Sequence, residues 1–463
     1  MNIKHLMSCM TLVTLALSSF DASAAHVDAA AARVTARSFV QQQASTGRSF
    51  KSQASSGLRL AHAEASTVVN GANDYYAFNI DGGGWVIIAG EDRATQVLGY
   101  SNSGMLDFDN LPYNVKGLLD GYKREIEFLH TYKGNDLVPI HTTLTATAGV
   151  DPLIPTNWGQ EDPYDWQCPL LNGEYCVVGC VATAMAQVMY YWKFPEGSNA
   201  LPRFYSMGYG YVSELPATTF DYNQMMLSYC HWDWDNSVLV QDTYTDDQAQ
   251  AVAKLGRYCG QAVSMQYSPE GSGAYTRDQL TAMKSFGYRS SAQYVQKGSN
   301  WNGYSTTQWE SMMKTELDAG RPILYAANDS YGAGGHAFIC DGYDTSGMFH
   351  FNFGWYGTCD GWFVSTALNM THRDGEYLRF NSGHEMLIGI EPPEGWTPPV
   401  TVLVGDVNGD GNVNIADVTA LIDYLLSGDA QNIHLDAADV NGDTEVNIAD
   451  VTALIDQLLS PAE

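Results

Sequence analysis

Tyr175 to Pro195 reads YCVVGCVATAMAQVMYYWKFP, and it limits the possible folds more than any other stretch. From Val181 to Trp192 there is no Gly, no Pro and no charge. Ala, Met and Gln favour helix there. Apolar residues fill nearly every turn, so this is a buried helix and not a surface one. Pro195 ends it, because proline drives the residue before it out of the α region. Cys180 stands at the start, just after Gly179. A thiol in that position faces unpaired N–H groups and the positive end of the helix dipole. Both favour thiolate over thiol, the form a nucleophilic cysteine needs. A small buried cysteine that merely opens a core helix fits this stretch equally well, so the rest of the chain must decide.

The chain of 463 residues is too long for one ordinary core, and roughly two to four domains are expected. A net charge of −29 argues against nucleic acid or an anionic membrane as partner and favours cation binding. Residues 1–24 read as a signal peptide. Lys4 and His5 precede the apolar run Leu12–Leu17, and Ala22-Ser23-Ala24 fits a small-residue cleavage site. That run is too short to span a membrane, so no membrane insertion is expected. The expected location is extracellular: secreted, or associated with a cell surface. Setting aside Cys9 in the signal and Cys180, six cysteines remain (168, 176, 230, 259, 340 and 359). They allow many pairings in an oxidising compartment. Cys340 with Cys359 is the favoured pair, and free buried thiols are the alternative.

Ala29–Gln43 has a helical composition. Tyr75–Ile80 and Trp85–Ala89 flank Asp81-Gly82-Gly83-Gly84 as a hairpin. Val97–Tyr100 is a further strand, and Leu111-Pro112 opens a helical pattern that ends near Tyr132. Residues 133–150 are polar and lack periodicity, the kind of segment where nicking concentrates. The largest block, 151–391, reads as helical first and strand-rich later. Helical spacing covers Tyr222–Tyr229, Asp246–Cys259 and Arg277–Phe286. Strands are expected at Pro322–Ala326, His336–Cys340, Met348–Phe353, Trp362–Val364 and Glu385–Ile390. That order predicts an α+β layout with a cleft between a helical half and an antiparallel β half. Pro-rich residues 392–403 form a stiff linker.

Beyond the linker, one unit occurs twice. Asp406-Val407-Asn408-Gly409-Asp410-Gly411-Asn412-Val413-Asn414-Ile415-Ala416-Asp417 is repeated from Asp439 to Asp450, 33 residues later. Oxygen side chains recur at loop positions 1, 3, 5, 9 and 12, the spacing that wraps a chain around Ca²⁺. The expected ligands are Asp406, Asn408, Asp410, Asn412 (through its carbonyl), Asn414 and Asp417 in the first loop. In the second they are Asp439, Asn441, Asp443, Glu445 (through its carbonyl), Asn447 and Asp450. Thr444 stands where the first loop has Gly411, so the second loop is expected to be more strained or weaker. Each loop is followed by an amphipathic helix, and this region resembles a type I dockerin module. The resemblance implies a small all-α calcium-binding domain over residues 404–463, two Ca²⁺ sites and a cohesin-like receptor as partner. Ile415-Ala416 and Ile448-Ala449 match the positions that contact such a receptor.

Thiol-based acyl transfer needs a thiolate, an imidazole, a group to orient that imidazole, and donors for the oxyanion. His336 heads an apolar strand in GGHAFICDGYD, behind Gly334 and Gly335, which let a backbone pass close by. Asn352, in FHFNFGWYG, falls on the next strand, where its carboxamide oxygen is expected to accept the His336 Nδ1–H. His350 shares the strand face of Asn352 and lacks the approach glycines. Gln160, in NWGQEDPY, supplies an amide upstream, so its side-chain N–H and the Cys180 backbone N–H form a candidate oxyanion hole.

With these pieces assembled, the chain resembles the streptopain family of papain-like cysteine proteases. NWGQEDPY, GCVATAMAQVMYYWKFP, GGHAFICDGYD and FHFNFGWYGTCDGWF carry the likeness. WVIIAGEDRATQVLGYS and LPYNVKGLLDGYKREIEFL resemble the family's inhibitory propeptide. The resemblance implies a zymogen: propeptide 25–147, catalytic domain 148–391 with a papain-like fold, linker 392–403 and docking module 404–463. It implies Cys180 as nucleophile, His336 as general base, Asn352 as orienter and Gln160 as oxyanion donor. Catalysis is expected to need no cofactor. The family usually has Trp directly after the orienting Asn, to shield the His–Asn bond. Here Phe353 stands there, and with Gly334 and Gly335 it is expected at the substrate. Protein or peptide substrates follow from this reading. A cysteine-dependent acyl transferase or amidase on the same triad is the first rival, and a non-catalytic cohesin-binding protein the second.

Overall fold

The computed structural model describes residues 26–45, 57–134, 137–139, 149–233, 238–298, 303–328, 335–368, 370–372, 383–397, 404–408, 413–428, 430, 433–441 and 445–459. They belong to two units, Met1–Pro393 and Glu394–Glu463. The expected signal peptide lies outside the described residues. No helix among the described residues is long and apolar enough to cross a membrane.

The first unit opens with helix α1 (Ala29–Ser45) and strands β1 (Leu58–Ala65), β2 (Asn73–Ile80), β3 (Trp85–Ala89) and β4 (Val97–Ser101). Gly82, Gly83 and Gly84 all have positive φ, which lets the β2–β3 hairpin turn where glycine was expected to allow it. Helix α2 (Tyr113–Thr131) follows, and then α3 (Cys180–Trp192), α4 (Asp246–Ala262) and α5 (Thr276–Ser285). The chain continues through β5 (Gln293–Gln296), α6 (Thr306–Asp318), β6 (Ile323–Asn328), β7 (Gly335–Tyr343), β8 (Phe349–Asn352), β9 (Gly361–Phe363) and β10 (His384–Ile388). Thr245 and Ser305 cap α4 and α6 in reciprocal boxes with Gln248 and Gln308.

These ten strands form one antiparallel sheet in the order β1-β2-β3-β4-β9-β8-β7-β6-β10-β5. Its faces follow the two-residue period of the strands. Leu324, Ala337 and Ile339 face the core built by α3, α4 and α5. Tyr325, Phe338, Cys340, Phe351 and Phe353 face the opposite core, with α2 and α6. The helical half and the antiparallel half are therefore present in the expected order. The N-terminal α+β unit does not stand apart, because β4 pairs with β9 and its sheet continues into the later one.

Two expectations are corrected. Tyr222–Tyr229 forms turns and no helix. Its spaced aromatics are anchors instead: Tyr222 Oη donates to Pro195 O at 2.9 Å and Tyr229 Oη to Gln248 O at 2.7 Å. Cys340 and Cys359 are not joined, and all seven described cysteines are free thiols.

The second unit contains α7 (Ile415–Ser427), α8 (Leu435–Ala438) and α9 (Ile448–Leu459). Val407, Val418, Leu421, Ala438, Val451 and Leu454 close a small core of their own. Matching residues of the two repeats, Val418 with Val451 and Leu421 with Leu454, meet there.

Candidate active site

Gly179 turns the chain into α3 at φ 88°. A Cβ at that position would lie 2.8 Å from both Met265 Sδ and Ser272 O, so glycine is required for space as well as for the turn. Cys180 follows as the first helical residue. Its Sγ accepts the Ala337 N–H at 3.4 Å, which docks the head of β7 on the thiol. The expected lowering of the thiol pKa is corrected in this form. Burial pushes the Cys180 thiol up, and the N–H groups of Ala337, Val181 and Cys180 pull it down without prevailing.

Gln160 is buried, and its carbonyl accepts the Val178 N–H at 3.0 Å, two residues before the thiol. Its Nε2 is fully buried and makes no hydrogen bond among the described residues. A buried donor without an acceptor is costly unless something else supplies one.

His336 pairs with Ala327 across β6 and β7. Its ring stacks on Tyr113, the first residue of α2, with centroids 5.7 Å apart and planes 11° from parallel. The next residue of α2, Asn114, is buried and donates Nδ2–H to Phe353 O at 2.8 Å. The start of α2 therefore covers both the imidazole and the end of β8.

Asn352 does not orient His336 here. Its Oδ1 accepts Gln187 Nε2–H at 3.0 Å and Gly354 N–H at 3.1 Å, and its Nδ2 donates to Thr156 O at 2.8 Å. The register explains this: Asn352 lies opposite Ile339, three residues beyond His336, on the sheet face toward α3. Gln187, two turns after Cys180 on α3, is the residue the sequence reading missed. Its Oε1 accepts from Thr156 Oγ1 at 2.8 Å and from Trp158 N at 3.4 Å. The available signal was a Gln inside an otherwise apolar helix.

Phe353 is also corrected as a substrate contact. Only 1% of it is exposed, and its ring packs on Phe338, Phe351 and Phe363. Gly335 starts β7, and Gly334 lies outside the described residues. His350 holds a structural ion pair, Nδ1 to Asp341 Oδ1 at 2.7 Å.

In the second unit, Asp410, Asn412 and Asp443 lie outside the described residues. Asp406, Asn408, Glu445, Asp439 and Asn441 lie on the described parts of the two loops. Asp417 and Asp450 are fully buried and clamp their loops identically. Asp417 accepts from Asn408 N at 3.0 Å and Asn414 N at 2.8 Å; Asp450 accepts from Asn441 N at 3.2 Å and Asn447 N at 2.8 Å. Asn414 and Asn447 instead use their side-chain oxygens as caps, accepting Ala416 N–H and Ala449 N–H at 2.8 Å. A hard, carboxylate- and amide-oxygen donor set of this kind suits Ca²⁺.

Three family models match the chain. Residues 158–363 match the peptidase C10 family, residues 24–126 the Spi protease inhibitor, and residues 404–459 the dockerin type I domain. The thiol protease/hemagglutinin PrtT of Porphyromonas gingivalis is 30% identical over 336 residues, covering 68% of this chain and 37% of that protein. Streptopain of Streptococcus pyogenes serotype M1 is 29% identical over 385 residues, covering 78% of this chain and 91% of that protein. Among solved structures, a prointerpain A fragment of Prevotella intermedia superposes with a TM-score of 0.57 at 28% identity, covering 73% of this chain and all of that one. The chain thus carries a domain of the peptidase C10, or streptopain, family of papain-like cysteine proteases, with an inhibitor-type prosegment ahead of it and a type I dockerin module behind it.

Proposed function

We propose that this zymogen is a secreted endopeptidase acting on proteins or peptides, with Cys180 as nucleophile and His336 as proton carrier. The reading rests on one contact, the Ala337 N–H on the Cys180 sulfur, which brings the imidazole-bearing strand onto the thiol. Withdrawal of α2 releases the His336 ring from Tyr113 and lets it take the thiol proton. The Cys180 sulfur then attacks the peptide carbonyl carbon. The C–S bond forms as the carbonyl electrons move onto oxygen, where Gln160 Nε2–H and the Cys180 N–H receive them. His336 gives its proton to the leaving nitrogen as the C–N bond breaks. It next takes a proton from water, whose oxygen displaces the sulfur and frees the acid. Asn352 acts at one remove, bracing α3 through Gln187. In the second unit the two acidic loops hold Ca²⁺, and the module tethers the enzyme to a cohesin-like receptor outside the cell.

Purified Cys180→Ala is expected to show neither peptide hydrolysis nor removal of its own prosegment. Terminal sequencing of the purified variant checks this. A variant that still shortens itself from the N-terminus, free of added protease, overturns the assignment.

A further inference from the structure

Helix α2 holds the catalytic half at a second polar point, far from Tyr113 and Asn114. Glu125 is 5% exposed, and its carboxylate is fully engaged. One oxygen accepts the Ala367 N–H at 2.6 Å, and the other accepts the Thr366 hydroxyl at 2.9 Å. Burial pushes the Glu125 carboxyl up, and the Lys297 ammonium, on a residue only 6% exposed, pulls it back without prevailing. Arg124 does so too, but it belongs to the prosegment and leaves with it. Glu310, bonded to the Ser365 hydroxyl, is the counter-charge in the catalytic half, with Lys314 and Lys297 acting on it. Once the prosegment departs, a backbone N–H and a hydroxyl remain aimed where a carboxylate had been, with the buried Lys297 ammonium acting on the same place through its charge.

The cradle lies on a line with the catalytic imidazole. His336 pairs with Ala327, Ala327 pairs with His384, and Lys297 donates its N–H to His384 O at 2.9 Å. Three strand spacings separate His336 from Lys297, about 14 Å. Helix α2 gives a similar span: the twelve residues from Tyr113, over His336, to Glu125 advance about 18 Å. An extended peptide covers that distance in about four or five residues. Direction follows from the chemistry. The imidazole hands its proton to the leaving nitrogen, so the residues after the scissile bond pass on its side.

We propose that the cradle formed by Lys297, Thr366 and Ala367 is a carboxylate subsite of the mature enzyme. It takes an Asp or Glu side chain about four or five residues after the cleaved bond. The assignment of direction rests on the roles given above to Cys180 and His336. In a chain of net charge −29 an acidic substrate is repelled overall, so a local site of this kind is what admits one. In the zymogen the prosegment satisfies the same donors with its own Glu125.

The test uses the self-processed enzyme and fluorescent peptides with one fixed cleaved sequence. Glu or Gln is placed in turn at the third to sixth positions after the scissile bond. The expected result is a roughly tenfold higher kcat/KM for Glu at one of these positions. Both Lys297→Met and Thr366→Val should bring that ratio back toward one, and the second variant is the milder should the first fail to fold. Equal rates for Glu and Gln at every position overturn the proposal. Affinity is read in parallel by anisotropy of the same peptides. If the chain neither processes itself nor cleaves a peptide, the catalytic reading falls; the prosegment is then removed with added trypsin, and the Glu-to-Gln affinity ratio still decides the cradle.

Discussion

At the scale of single residues, Gln187 carries a bracing role that the sequence reading assigned to no residue. It joins the nucleophile helix to the segment at Thr156–Trp158 and to Asn352, with no part of it exposed. Gln187→Leu keeps much of the volume and removes the acceptor for two donors, the Thr156 hydroxyl and the Trp158 N–H. Each buried orphan costs about 1–3 kcal/mol, so a loss of at least about 2 kcal/mol is expected. The measurement is urea unfolding in a Cys180→Ala background, with Thr156→Val as the smaller perturbation. A change under about 0.5 kcal/mol for Gln187→Leu would mean water replaces the side chain at no cost. The placement of Cys180 at a helix start and of His336 at the head of a glycine-led strand was legible, because each follows from a recognisable local feature. The role of Asn352 was not, because it depends on strand register. A shift of three residues along β7 exchanges a bond to an imidazole for a bond to a helix, and no local pattern records that shift.

At the scale of elements, the glycine hairpin and the long helices could be read from composition. The strand Gln293–Gln296 and the helix Thr306–Asp318 were missed, because short or polar elements owe their form to what they pack against. The same holds for a buried charge cluster in the prosegment. His130 on α2 lies 3.2 Å from Glu91 and 3.3 Å from Asp74, and Arg93 pairs with Glu91 at 2.7 Å. Burial works against the His130 charge, but Asp74 and Glu91 outweigh it and push its pKa up to about 9. Burial also opposes the Glu91 charge, and His130 with Arg93 brings it down to about 2. A raised His pKa stabilises fully below the unfolded value of 6.5 and is lost as pH climbs through 9. A lowered Glu pKa stabilises above 4.5 and is lost as pH falls through 2. The fold of the prosegment is therefore expected to be firmest between about pH 4.5 and 6.5 and to weaken steadily toward pH 9. Thermal melts of Cys180→Ala against pH check this, and His130→Gln should flatten the alkaline limb. The acidic repeat makes a parallel demand of its helices. Asp417 and Asp450 are buried carboxylates, and chelating calcium should cost α7 and α9 much of their helicity, seen by circular dichroism. Unchanged helicity in excess chelator would remove calcium from the account of that unit.

At the scale of the whole first unit, the prosegment and the catalytic half share one continuous sheet. The prosegment adds its four strands to the edge that β9 presents, pairing Tyr100 with Trp362 and Gly99 with Phe363. Around that seam, Val364 donates its N–H to Leu98 O at 3.0 Å and Thr95 its N–H to Ala367 O at 2.8 Å. Tyr100 donates to Asp344 at 2.9 Å, and Tyr122 to Val364 O at 2.5 Å. Unpaired edges attract strands, and here the chain supplies its own. Gly99 makes the seam possible. A Cβ there would lie 2.6 Å from the Phe363 ring and 3.0 Å from Trp362 O, so a larger residue forces β4 off β9. Gly99→Val leaves every residue at Cys180 and His336 untouched, yet it should shorten the lag before self-processing by several-fold. The same substitution in Cys180→Ala, which cannot process itself, should leave the catalytic half folded while the prosegment becomes an easy target for added trypsin. An unchanged lag together with unchanged trypsin resistance would show that α2 alone, through Tyr113, Asn114 and Glu125, keeps the enzyme latent.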